Sequence, residues 1–108
     1  MGTDTRIDSL YKALANPTRR EILKRLIEAP GTPIGQLAKH FEQSRISILG
    51  HVKVLESAGL VANGCPGSRH ELYFSPAALH MLHTHCAEEF SLEQNQPDPE
   101  PFQDGYSI

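Results

Sequence analysis

Three imidazoles and a thiol fall within one short run: His80, His83, His85 and Cys86 in HMLHTHC, residues 80–86. Both groups ligate zinc or nickel, so metal binding is the first chemistry to weigh. On a helix turning about 100° per residue, His83 and Cys86 share the side that carries Leu79, Leu82 and Phe90. His85 lies with Glu89, well round from it. One straight helix therefore cannot bring all four to a single ion. The usable pairs are His80/His83 and His83/Cys86, spaced i, i+3, and His85/Glu89, spaced i, i+4. Two ligands leave either ion short of its usual four or so. His80, His83, His85, Cys86 and Glu89 thus make a metal site only if a second element or a second copy of the chain completes it, with zinc or nickel acting as an effector. The competing reading makes the histidines incidental and Cys86 a small core residue.

The other cysteine, Cys65, sits among turn residues with only Arg69 nearby to favour a thiolate, which gives a redox switch little support. Two cysteines do not make the disulfide framework of a small secreted domain. No phosphate-binding glycine loop and no Ser-His-Asp or Cys-His set is suggested by local context. A core this small leaves little room for a deep substrate pocket. The expectation is a non-enzyme.

The second chemistry is cationic, and the net charge of −3 over 108 residues conceals it. Every Lys and Arg lies at or before Arg69. Residues 1–87 hold ten bases against seven acids, giving +3, while residues 88–108 hold six acids and no base, giving −6. Such asymmetry has to be read in pieces, and the total excludes no polyanionic partner. The length fits one domain, and 39% apolar residues without Trp fit one small core. Nothing approaches a run of about 18 apolar residues, and MGTDTRIDSL lacks a basic-then-apolar leader pattern. A soluble cytoplasmic chain with no membrane partner is expected.

These groups must be positioned by a small set of elements. Ile7, Leu10, Tyr11 and Leu14 form one helical stripe over residues 5–16, capped by Thr3 or Asp4 and stopped at Asn16-Pro17. Pro17 opens a second helix to about Glu28, with Ile22, Leu23, Leu26 and Ile27 inward and Arg19, Arg20, Lys24 and Arg25 outward. Thr32-Pro33 reads as the cap and first residue of a short third helix carrying Ile34, Leu37, Ala38 and Phe41. After a tight turn, Ser44 caps a longer helix with Ile48, Val52 and Leu55 on one face, ended by Ala58-Gly59. This is a helix-turn-helix arrangement. Residues 60–62 and 71–74 read as a hairpin whose loop is dense in turn residues, and Ser75-Pro76 opens a last helix to about residues 90–93. The fold class is mainly α with a small β-hairpin wing, in the order four helices, two strands, one helix. Residues 1–91 form the domain, and 92–108 an acidic tail expected to be disordered.

That order is the winged-helix order, and two motifs carry a closer resemblance. ALANPTRREIL (13–23) and SRISILGHVKVLESAGLV (44–61) resemble the second-helix and recognition-helix signatures of the ArsR/SmtB family of transcriptional regulators. The resemblance covers roughly residues 7–85. It implies a homodimer that represses transcription from a palindromic DNA operator and releases it on a signal. It also implies dimerisation through the first and last helices, here Ile7, Leu10, Tyr11 and Leu14 with Leu79, Leu82 and Phe90. The Asp-x-His start of the family's last-helix metal sites is absent, since Ser75 and Ala77 stand there. The Cys-x-Cys of its arsenic and cadmium sensors is absent as well.

A helix-turn-helix sets its second helix in the major groove. On the helical wheel Arg45, Ile46, Leu49, Gly50 and Lys53 lie away from the core, and Ser44 leaves backbone N–H groups aimed at a phosphate. Thr32, Gln43 and the wing's Arg69 complete the DNA-contact set. Ile46, Leu49 and Gly50 depart from the family's polar reading positions, since none can hydrogen-bond a base edge. What remains is Arg45, contact with thymine methyls, and shape, which points to an A·T-rich half-site. Three alternatives stand beside this reading. Ile46 and Leu49 pack against a neighbouring helix; His51 is structural or bonds a phosphate; the whole domain is a protein-interaction module, or works with a co-regulator protein.

Overall fold

The computed structural model describes residues 3–64 and 71–92. Its elements are α1 (Thr3–Leu14), α2 (Pro17–Glu28), β1 (Thr32–Pro33), α3 (Ile34–Ala38), α4 (Arg45–Ser57), β2 (Val61–Asn63), β3 (Glu71–Phe74) and α5 (Pro76–Glu89). Helices predominate, and the three strands form one antiparallel sheet in the order β1-β3-β2. This is the winged-helix architecture expected from the sequence, with one strand more.

The extra strand corrects the reading of Thr32-Pro33 as a helix start. Thr32 pairs with Leu72 and Pro33 with Glu71, so both residues are extended, and Pro33 occupies the cap position of α3 without a side-chain bond. Gly31 makes this possible. Its φ of +83° turns the chain, and its N–H donates to the Leu72 carbonyl at 2.8 Å. The Thr32 hydroxyl donates back to the Ala29 carbonyl at 2.5 Å. Three smaller boundaries also move. α1 begins at Thr3, so Thr3 and Asp4 lie within it; β2 starts at Val61; and α5 stops at Glu89.

The helix ends follow local chemistry. Asn16 accepts from the Arg19 N–H at 3.1 Å and Ser44 from the Ser47 N–H at 3.1 Å, each filling a donor that the first turn leaves open. α4 closes with Gly59 at φ +83°, its N–H on the Glu56 carbonyl and that of Leu60 on the Leu55 carbonyl, a Schellman closure. α5 closes the same way through Ser91 and Leu92. The expected tail beyond it, and the wing tip with Cys65 and Arg69, lie outside the described residues.

The core is a single apolar cluster. Leu10, Ile22, Leu26, Leu37, Ile48, Leu55, Leu60 and Leu72 are fully buried, and among the described residues no polar or charged residue is buried. Ile27, expected inward, is 54% exposed, because Ile22, Leu23 and Leu26 already fill the inner face of α2. Phe41 lies beyond α3 yet packs on the cluster.

Two isoleucines two positions apart on α4 test this partition. Ile48→Ala should lower the unfolding free energy by about 2–5 kcal/mol. Ile46→Ala should change it by no more than about 0.5 kcal/mol. Urea denaturation followed by circular dichroism checks both.

Candidate nucleic-acid interface

α4 is held in place from behind by its apolar face and from the side by hydrogen bonds. Ile48, Val52 and Leu55 are 0%, 2% and 0% exposed. Gln43 in the preceding turn donates from Nε2 to the Thr18 hydroxyl at 3.2 Å, which ties the turn to the start of α2. The Arg19 Nε donates to His51 Nδ1 at 3.2 Å, and its Nη1 to the carbonyls of Lys12 at 3.1 Å and Ala13 at 3.5 Å. Arg20 Nη1 donates to the Leu14 carbonyl at 2.6 Å. These carbonyls belong to the last turn of α1, which has no intrahelical partners for them, and cations there also meet the negative end of the helix dipole.

So the arginines of α2 are not a free solvated face. Arg19 and Arg20 cap α1, and Arg25 lies 5.7 Å from the centre of the Phe41 ring with Glu21 at 3.2 Å. Lys24, the last of the four, is exposed. His51 takes the structural role. It accepts at Nδ1, which leaves Nε2 as the donor of the neutral ring.

The outward row of α4 is Ile46, Gly50 and Lys53, directly opposite the buried one. Ile46 is 82% exposed, which excludes the reading that packs it against a neighbouring helix of the same chain. Among the described residues, nothing lies within 4 Å of the place a Cβ at residue 50 would occupy. A glycine inside a helix costs about 0.5–1 kcal/mol relative to alanine, and no neighbour within the fold requires it here. Arg45 and Leu49 flank this row at a cleft of about 400 Å³ shared with Ile34, Val52, Lys53, Glu56, Asn63 and Leu72. The Arg45 guanidinium rests over α3, 3.7 Å from where a Cβ on Gly35 would lie. Thr32 and Gln43 have committed their side chains to Ala29 and Thr18, and Ser44 to its cap. Arg69 lies outside the described residues.

The α1 and α5 residues divide in two. Ile7, Leu10 and Leu82 are buried in the chain's own core and Leu14 packs against it, whereas Tyr11, Leu79 and Phe90 are exposed. The wheel could not separate these sets, because α1 and α5 first bury part of their stripe against each other. The metal candidates are also dispersed. Cys86 faces Tyr11, with Sγ 2.9 Å from its hydroxyl, and His85 Nε2 meets Glu89 Oε1 at 2.8 Å. His80 and His83 are exposed. Among the described residues no three His, Cys, Asp or Glu side chains converge as a metal site would need. The hydrogen bond to Cys86, with partial desolvation and nearby acids behind it, pushes the Tyr11 phenol up to about 12.

A helix-turn-helix domain family matches residues 14–63, from the end of α1 through β2. The chain is 37% identical over 84 residues to the HTH-type transcriptional regulator Rv2034 of Mycobacterium tuberculosis, covering 78% of each. It is 33% identical over 57 residues to the transcriptional repressor SdpR of Bacillus subtilis, covering 53% of this chain and 62% of that one. Among solved structures, an ArsR-like transcriptional regulator from Rhodococcus sp. RHA1 superimposes with a TM-score of 0.73 at 29% identity, over 86% of both chains.

Two measurements check the ties around α1. Arg19→Ala should cost about 1.5–3 kcal/mol of stability, the range for hydrogen bonds to a charged group. Arg19→Lys should recover little, since an ammonium lacks the fork that reaches both helices. For Tyr11, the folded state holds its proton more tightly than the unfolded phenol at 10.0. The contact's contribution is therefore complete below about pH 10 and is lost as pH rises through about 12. Ultraviolet titration should show one late-ionising phenol that Tyr11→Phe removes.

Proposed function

The chain belongs to the ArsR family of winged helix-turn-helix transcriptional regulators, and on that premise we propose a homodimeric repressor that grips a palindromic operator with two copies of α4 and releases it on a signal. Family membership makes it a DNA-binding regulator. Repression, the dimer and the signal are the added reading. The observation that carries it is the division of α4 into a face locked into the core and an opposite face left open, with Arg45 and Lys53 beside it.

The likeness to a protein named as a transcriptional repressor supports the sign of regulation. The exposed Tyr11, Leu79 and Phe90 on α1 and α5 support self-association, since a second copy would cover them. Two helices so paired stand about one DNA turn apart. Arg45 is the main hydrogen-bonding reader, and the DNA's shape supplies much of the rest. The protein acts by binding in the cytoplasm, not by catalysis. The acidic tail, residues 92–108, repels phosphates and so favours the operator over bulk DNA.

Mobility-shift titration against operator and random duplexes at several salt concentrations tests this. Affinity should fall steeply with salt, as released counterions require. Arg45→Ala should reduce operator preference by about 1–3 kcal/mol. Operator discrimination left intact in that variant would remove Arg45 from its role. A flat salt slope would favour a protein-interaction module, the reading that the exposed Ile46 otherwise invites.

A further inference from the structure

The outward row of α4 combines three features that point to one chemistry. Ile46, in the first turn, is the most exposed large apolar residue described, at 82%. Gly50, one turn on, presents bare backbone with open space where its Cβ would be. Lys53 continues the row, Arg45 lies beside it, and Ser44 caps the helix end next to it. An exposed isoleucine alone would suit an apolar protein partner. Set between two cations at a helix N-terminus, it suits a polyanion that carries an apolar group within reach.

In the major groove that group is the methyl at C5 of thymine, because every other base-edge atom there is a hydrogen-bond donor, an acceptor or a ring C–H. Resting on the reading of the chain as an operator-binding regulator, we propose that α4 reads a pyrimidine 5-methyl group through Ile46, with Gly50 leaving room for the groove to close on it. The consequence is chemical. Isoleucine bonds neither the O4 of thymine nor the N4 amino group of cytosine, so it accepts thymine and 5-methylcytosine alike and rejects uracil and unmodified cytosine. Binding at this position therefore responds to cytosine methylation.

The test uses the full chain and synthetic duplexes of the operator it selects from randomised DNA. At each thymine in turn, deoxyuridine, cytosine or 5-methylcytosine is placed, with the partner base matched. Removing the methyl that Ile46 covers should weaken binding about fourfold per half-site, the equivalent of one buried carbon. At the same position 5-methylcytosine should bind about fourfold tighter than cytosine. Ile46→Ala, whose side chain holds nothing in the fold, should bring both ratios near one, which separates a methyl contact from an effect on duplex stiffness. Gly50→Ala should raise thermal stability while weakening the operator complex. Tight operator binding with both ratios near one in the unaltered chain overturns this proposal alone, as do ratios that survive Ile46→Ala. A chain that enriches no sequence overturns the operator reading and this proposal together.

Discussion

The Arg19 side chain joins three helices: its Nη1 donates to the last carbonyls of α1, its Nε to His51 in α4, and its own N–H closes the first turn of α2 on Asn16. The segment Asn16-Pro17-Thr18-Arg19-Arg20 thereby finishes one helix and starts the next. The helix ends it serves hold backbone groups with no partner inside their own helix, although the Lys12 carbonyl also takes the Ala15 N–H at 3.2 Å. Because α1 and α5 bear the exposed apolar residues and α4 bears the open row, Arg19 also links the surface suited to a second copy with the surface suited to DNA. A shift of α1 against α4 has to break or stretch these bonds.

Local chemistry was legible in the sequence and distant chemistry was not. Ser44, Pro17 and Gly59 mark helix ends because the groups they satisfy lie within four residues. The 3.6-residue period found Ile48, Val52 and Leu55, since a long helix on a flat core leaves one inner face. The strand at Thr32-Pro33 is not legible locally because it exists only through Leu72, far along the chain, and a proline after a threonine looks locally like a helix start. Arg19 looked like surface charge for the same reason: its partner His51 is 32 residues away. The stripe on α1 is apolar as expected, but periodicity cannot say whether the chain's own core or an outer surface receives it. Ile7 and Leu10 went to the chain's own.

Residues 1–87 carry +3, yet that sum overstates the charge free to meet a phosphate backbone. Arg19, Arg20 and Arg25 are engaged within the fold, so Lys24, Lys39, Arg45 and Lys53 are left as exposed cations from α2 to α4. Phosphate contacts bind every sequence alike, so they set affinity and its salt dependence but not the choice of site. More of the discrimination then falls to contacts that carry no charge, which gives the open face of α4 a weight it would lack in a more basic relative.

The short strand β1 has a consequence for how these molecules tolerate crowding. Pro33 has no N–H with which to continue the ladder, and the chain turns at once into α3, so this border of the sheet is only two residues long. A border that short offers a stray strand too few donors and acceptors to anneal, and the fold is protected there from building fibrous stacks of itself.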